Sequence, residues 1–191
     1  KPTKPIGPFL TKESAERHER DDGWKIIEDS GRGYRRVVAS PRPMRIIELD
    51  VIKQMAESGI LLVAGGGGGI PVVLDDKGEL HGIEAVIDKD LTSAMIATEL
   101  KADVLAILTG VQCVYVNFGK PNQEALRLVD LNTLEGHIAR KEFAEGSMLP
   151  KILAAKQFLQ ARNDPAARAI ITDWSDLPAA IEGKTGTTIR L

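Results

Sequence analysis

Apolar residues change their spacing along this chain, and each change predicts an element. Ile47, Val51 and Met55 recur at helical spacing, and Gly59 ends that helix. Ile60 to Ala64 is an unbroken apolar run, the pattern of a buried strand in a parallel sheet. Five glycines follow. Pro71-Val-Val-Leu and Leu80 to Ile83 flank an Asp-Asp-Lys-Gly turn and predict a hairpin. Leu91 to Leu100 reads as a helix with Leu91, Ala94 and Met95 inward, and Val104 to Thr109 as the next buried strand. Gly110 to Gly119 predicts a loop or a second hairpin. Helices follow at Leu131 to Lys141 and Ile152 to Ala161, then a strand at Ala169 to Thr172. A short helix around Leu177, Ala180 and Ile181 and a strand at Thr187 to Leu191 close the chain. Strands alternating with helices predict an α/β fold: three αβα layers around a mainly parallel sheet.

The first forty-odd residues have a different texture. They are rich in Pro, Gly and charge, with Pro2, Pro5 and Pro8 at one end and Pro41 and Pro43 at the other. Thr11 fits the N-cap of a short polar helix running to about Arg20. Trp24-Lys-Ile-Ile and Arg35-Arg-Val-Val-Ala predict two short strands joined by the turn residues Asp29-Ser-Gly-Arg-Gly. Two apolar strands would be wasted in a disordered arm. Residues 1–43 are therefore expected to form a small projecting subdomain, and residues 44–191 the main α/β domain.

Composition narrows the function classes. A chain of 191 residues and 20.7 kDa can bury roughly 70% of its unfolded surface. The single cysteine, Cys113, rules out an internal disulfide and a multi-cysteine zinc site, and it sits in an apolar stretch that suggests packing. The balance of 25 Lys and Arg against 27 Asp and Glu leaves a net charge of −2. That argues against a general nucleic-acid binder. No apolar run approaches a membrane span, and the opening KPTKPIGPF lacks the apolar core of a signal peptide. A soluble protein of a reducing, cytoplasmic compartment is the expectation. His18, His81 and His137 are scattered and show no metal-ligand spacing.

Three features can carry chemistry. Gly65 to Gly69 follow a predicted strand, where glycines let backbone amides approach an anion. The run is neither a Walker A motif nor a dinucleotide fingerprint. Asp88-Lys89-Asp90 opens a helix, with either aspartate able to cap it and Lys89 adding charge to the helix N-terminus. Gly146-Ser147-Met148-Leu149-Pro150-Lys151 repeats the logic, with Ser147 at the cap and Lys151 in the first turn. A cation there opposes the helix dipole, at a cost of roughly 0.3–1 kcal/mol. An anion bound at that terminus would offset it. Two lysines at two helix starts and a glycine loop suggest a polyphosphate cradle.

These motifs also occur together in a known family. Lys1-Pro-Thr-Lys-Pro-Ile-Gly-Pro-Phe, Glu28-Asp-Ser-Gly-Arg-Gly-Tyr-Arg-Arg-Val-Val-Ala-Ser-Pro, Gly66-Gly-Gly-Gly-Ile-Pro-Val, Ala85-Val-Ile-Asp-Lys-Asp, Val116-Asn-Phe-Gly-Lys-Pro and Gly146-Ser-Met-Leu-Pro-Lys stand in the order seen in carbamate kinases. The chain resembles that family, which has the amino acid kinase fold, over essentially its whole length. Two N-terminal glycine loops of such enzymes, Gly-Gly-Asn-Ala-Leu and His-Gly-Asn-Gly-Pro-Gln-Val-Gly, do not occur here. The resemblance therefore implies the projecting subdomain plus the nucleotide-binding part, an incomplete enzyme by itself.

The resemblance implies roles residue by residue. Lys89 and Lys151 contact ATP phosphates, with Lys151 on the transferring group, and Asp90 orients both. Gly66, Gly67 and Gly68 lie close to the phosphates. Met148 and the segment Val114, Tyr115, Val116 and Asn117 line the base and ribose side. Lys4 reaches over the active site from the subdomain, with Lys1 second to it. The implied reaction is in-line phosphoryl transfer between carbamoyl phosphate and ADP, giving ATP and carbamate, with Mg²⁺ on the phosphates and no dedicated metal ligands. A cytoplasmic homodimer in arginine metabolism is implied too. Gly110 and Gln112 replace two acids that many amino acid kinases carry, which touches substrate preference. A kinase of another small carboxylate and a non-catalytic nucleotide-binding paralogue are the alternatives.

Overall fold

Pro5 and Pro8 lie within a strand that the proline-rich pattern did not suggest. The computed structural model describes residues 1–191 and places β1 at Lys4–Leu10. It is the edge strand of a three-stranded sheet, beside β3 (Tyr34–Val38), with β2 (Ile26–Glu28) beyond it. Proline is tolerated at an edge, where no ladder donor is required. Both pairings are antiparallel, and the β1 register breaks between Ile6 and Leu10. Gly7, at φ +71, supplies the bend. Between β1 and β2 lies α1 (Lys12–Asp22), capped as expected by Thr11, whose hydroxyl accepts from the Ser14 amide.

These elements belong to the first of two compact units, Lys1–Pro43 with Gly67–Asp88. Its later part is a hairpin of β4 (Val72–Leu74) and β5 (Leu80–Gly82), as expected. Its apolar core is small: Ala15, Val37 and Val38. Side-chain stacking supplements it. Trp24 lies flat on His18 with ring centroids 4.3 Å apart and carries the Arg36 guanidinium over its ring. Asp29 receives Arg32 and Arg35. Desolvation pushes the Asp29 carboxyl up, but its bonds to Arg35, Ser30 and Arg32 prevail and hold it below the ordinary aspartate range.

The second unit is Met44–Gly66 with Lys89–Leu191. It opens with α2 (Leu49–Glu57), and Gly59 at φ +79 turns the chain out of it as expected. The remaining elements are α3 (Lys89–Glu99), β6 (Val104–Thr109), β7 (Val114–Val116), β8 (Glu124–Leu126), β9 (Leu128–Asp130), α4 (Leu131–Ala139), α5 (Met148–Arg162), β10 (Arg168–Asp173), α6 (Leu177–Ile181) and β11 (Thr187–Arg190). The sheet order is β6-β10-β11-β9. The pairings β6/β10 and β9/β11 are parallel and β10/β11 is antiparallel. Helices α3 and α5 pack together and against the sheet, α5 against β6 and β10, and bury Ile152, Phe158 and Leu159 with Leu105, Ile107, Ala169 and Ile171. On β10 the alternate residues Ile170 and Thr172 are also fully buried, and α6 packs on that strand. Cys113 is fully buried, in keeping with packing.

Two expectations change. The stretch from Gly110 is a hairpin, but its second strand lies beyond Gly119, at Glu124–Leu126. The apolar run Ile60–Ala64 forms no ladder at all. Leu61 and Val63 are 97% and 102% exposed. A strand needs a neighbour for its amides and carbonyls, and the four-stranded sheet ends at β6 with nothing beyond it.

Candidate active site

In the second unit two helix N-termini meet. Helix α3 begins at Lys89, and Asp90 in its first turn is buried. Helix α5 begins at Met148, with Ser147 at its N-cap and Pro150 in its first turn. Ser147 occupies the cap position without a side-chain cap bond. Lys151 Nζ donates to Asp90 Oδ2 at 2.9 Å, and Lys89 Nζ lies 3.5 Å from Asp90 Oδ1. One carboxylate thus joins two ammonium groups, one on each oxygen. The lysines differ: the Lys151 side chain is 11% exposed, that of Lys89 is 56% exposed. The trio carries a net charge of about +1 at two helix starts, where unpaired backbone amides already favour an anion.

The glycine run reaches α3 at its first member. A Cβ on Gly65 would stand 3.3 Å from Thr92 Cγ2 and 3.6 Å from Ile96 Cδ1, and φ there is +77. Glycine permits this close passage of backbone beside the helix. Gly66, at φ +46, has open space where a side chain would be.

A cavity of about 270 Å³ lies beside the start of α5. Its wall is mostly apolar: Tyr115, Phe118, Phe143, Val111 and Met148, with Thr109, Ser147 and Glu142 as polar members. The Tyr115 and Phe118 rings are 6.0 Å apart. A side-chain bond to Cys113, then burial, raise the Tyr115 hydroxyl above its ordinary value and keep it neutral. Glu142 pairs with Arg140 Nε at 2.8 Å and with His137. Arg140 first, then His137, hold its carboxyl below the ordinary range. The cavity therefore offers aromatic faces and one fixed anion at its edge.

Of the base-side residues expected from sequence, Tyr115 and Met148 are on this wall. Val114 is fully buried in the core, where its amide donates to Thr187 Oγ1 at 2.8 Å. Val116 is also in the core. Asn117 takes a left-handed turn at φ +52, and its amide reaches Asn122 O at 3.4 Å. In the first unit, Lys4 Nζ donates to the buried Asp88 at 2.5 Å, and Lys1 is exposed.

The model of the amino acid kinase family matches residues 14–173. The chain belongs to the amino acid kinase family. It is 53% identical over 189 residues to a carbamate kinase of Staphylococcus haemolyticus, a match covering 99% of this chain and 60% of the relative. Carbamate kinase 1 of Staphylococcus epidermidis is 48% identical over 188 residues, with 98% and 60% covered. Among solved structures, the carbamate kinase from Giardia lamblia bound to AMP-PNP superposes with a TM-score of 0.85 at 40% identity, covering 99% of this chain and 59% of that one. The chain spans about three fifths of the length of the curated relatives it matches.

Sequence reasoning on this amino acid kinase missed Phe118, Phe143 and Glu142. Phe118 stands inside the quoted Val116-Asn-Phe-Gly-Lys-Pro motif, so its ring was within reach. Phe143 and Glu142 lie in the turn between α4 and α5, where neither spacing nor charge marks them.

Proposed function

We propose that this chain carries the nucleotide-binding part of a carbamate kinase. The reaction is reversible transfer of a phosphoryl group between carbamoyl phosphate and ADP, giving ATP and carbamate. The observation that carries this reading is the bridge Lys89–Asp90–Lys151 at two adjoining helix starts, in a chain 53% identical to a carbamate kinase. The Giardia relative binds AMP-PNP, which supports a nucleoside di- or triphosphate as the ligand here.

The geometry suggests a division of labour. The base enters the aromatic cavity at Tyr115, Phe118 and Met148, beside the start of α5. The phosphates then lie over the helix starts. Lys151 is nearly buried and held by Asp90, so its charge is preorganised and needs little reorganisation as charge shifts in the transition state. Lys89 is more exposed and can follow the nucleotide. Catalysis of this kind rests on positioning and electrostatics rather than on a covalent intermediate. Asp90 spends both oxygens on ammonium groups, so it does not present a free carboxylate to a metal. Magnesium belongs to the substrate, as the nucleotide complex. Lys4, paired with Asp88, is proposed as the subdomain's contribution, and a cytoplasmic homodimer as the working form.

The test uses the complete protein. Carbamoyl phosphate, acetyl phosphate and N-acetylglutamyl phosphate are offered with ADP and magnesium, and ATP formation is followed. ATP from carbamoyl phosphate at least about 100-fold faster than from the others is expected, a gap of about 2.7 kcal/mol in transition-state binding. Preference for another acyl phosphate would move the protein to a different small-carboxylate kinase. Nucleotide binding with no turnover would make it a non-catalytic relative.

A further inference from the structure

The sheet of the second unit carries two hydroxyls where an apolar side chain would bury equally well. Thr172 on β10 and Thr187 on β11 are both fully buried. Both hydroxyls bond outside their own sheet. Thr187 Oγ1 accepts from the Val114 amide at 2.8 Å and donates to the Leu126 carbonyl at 2.5 Å. Val114 and Leu126 are register partners across the β7–β8 hairpin. One hydroxyl thus uses its single proton and a lone pair to tie both strands of the hairpin to β11. Thr172 Oγ1 donates to the Gln112 carbonyl, just before the hairpin, at 3.3 Å. Gly186, at φ +73, lets the chain enter β11 hard against Thr172. A Cβ there would stand 3.0 Å from both Cβ and Oγ1 of that threonine.

The hairpin is what these bonds hold. Its root is buried, with Cys113 and Val114 fully enclosed, while its loop from Phe118 to Gln123 is exposed. Val111 and Tyr115 line the cavity beside α5. Each is the chain neighbour of a residue that a threonine holds, Gln112 for Val111 and Val114 for Tyr115. Lys89 and Lys151, by contrast, stand on α3 and α5 and are tied by Asp90. The base side and the phosphate side of the proposed nucleotide site are therefore held by different devices. Thr187→Val would strip the buried Val114 amide of its partner. That cost is relieved only when the hairpin shifts and admits water.

We propose that Thr187 is a positioning residue for the base of the nucleotide, acting through the β7–β8 hairpin, with Thr172 as a weaker second tie. The inference rests on the nucleotide reading of the cavity. Thr187 does not line the cavity; its hydroxyl sets where Val111 and Tyr115 stand. The consequence is selective. A ligand that fills the aromatic cavity feels the loss of the hydroxyl, and a ligand that reaches only the helix starts does not. Serine keeps the hydroxyl on the same Cβ and so keeps the tie.

Calorimetric binding to the complete protein tests it, with two probes in the presence of magnesium: ADP, and inorganic tripolyphosphate, which has no base. Thr187→Val should raise Kd for ADP by roughly 10-fold or more and leave that for tripolyphosphate within about twofold. Thr187→Ser should stay within about threefold of the parent for both probes. Thr172→Val loses one longer bond and should weaken ADP binding by less than Thr187→Val does. Equal ADP binding by the parent and Thr187→Val would overturn the proposal. So would an equal loss for both probes, or an equal loss for serine and valine, either of which would make Thr187 a general structural residue. A parent that binds no ADP would remove the nucleotide reading itself and this inference with it, an outcome distinct from the others. Hydrogen exchange on the unaltered protein decides the matter if the valine variant does not fold. The Val114 amide should exchange as slowly as the β10 amides. Exchange as fast as in the loop Phe118 to Gln123 would overturn the proposal.

Discussion

Residues 60–64 and 169–172 are two apolar runs in the same folded unit, and they end in opposite situations. Ala169, Ile170, Ile171 and Thr172 are all fully buried, with β6 on one edge and β11 on the other. Leu61 and Val63 are fully exposed in a segment with no ladder. The difference lies in the neighbours. β10 is flanked by α5 on one face and α6 on the other, whereas the run at 60 has α2 and α3 to one side and solvent on the other. An apolar run encodes a demand for partners, and the surroundings decide whether the demand is met.

The strongest way to break this comparison is to cut into the satisfied run. Ile171→Ala removes methyl groups from a site with no exposure, between β6 and the α3–α5 layer. It should cost about 2–5 kcal/mol in urea unfolding followed by circular dichroism. A cost under about 1 kcal/mol would mean that β10 is no better packed in solution than the run at 60.

A functional contrast of comparable size separates the two lysines on Asp90. If the proposed carbamate kinase reading holds, Lys151→Ala should lower kcat by roughly 10²–10³, with a smaller change in KM for ADP, because its held charge matters most in the transition state. Lys89→Ala should raise KM for ADP as well, because a more exposed lysine touches phosphate in ground and transition states alike. Lys→Arg should rescue neither well, since a planar fork does not replace a compact ammonium. Steady-state kinetics on the four variants decides the point. A normal kcat for Lys151→Ala would remove phosphoryl transfer from this helix start.

The same contrast explains what the sequence could say. Gly59, Thr11 and the short run Arg35-Arg-Val-Val after its turn residues are local signals, and the structure follows them. Lys89, Asp90 and Lys151 were legible as separate helix starts, but their meeting depends on α3 packing on α5, which spacing does not encode. β1 was hidden because prolines speak against strands until an edge position is known. β8 and β9 were hidden because each is three residues long and lies beyond the Gly110–Gly119 stretch whose turn residues pointed to a hairpin. The exposure of Leu61 and Val63 was illegible for a different reason: an apolar run states a demand for burial, and its composition does not say whether a neighbour meets it.

A smaller effect belongs to a capping aspartate. Asp130 accepts from the Thr133 amide and hydroxyl, both at 2.9 Å, at the start of α4. The amide bond first, then the hydroxyl, hold its carboxyl below the ordinary aspartate range. A lowered folded-state value means the stabilisation is fully present above the unfolded value near 3.9 and is lost as the pH falls through the folded one. Asp130→Ala should therefore destabilise the protein at pH 7 by less than Ile171→Ala does. The gap between Asp130→Ala and the parent chain should close in acid. Thermal melts at pH 7, 4 and 2.5 would show it, and a gap that widened in acid would refute the capping role.

The smallest expected effect is the most informative about the run at 60. Val63 touches nothing that its side chain could lose, being 102% exposed. Val63→Lys should then change the urea midpoint by no more than about 0.5 kcal/mol, the range of a substitution on open surface. Its effect should appear instead in association. Ile60–Ala64 is a short, uncharged, strand-prone segment without proline, the composition that pairs with copies of itself when left bare. A lysine in its middle adds charge repulsion and a strongly hydrated head. Light scattering across a concentration series should show less self-association for the variant than for the parent chain. A loss of stability well above about 0.5 kcal/mol would mean that Val63 is packed in solution. The two runs would then differ in degree and no longer in kind.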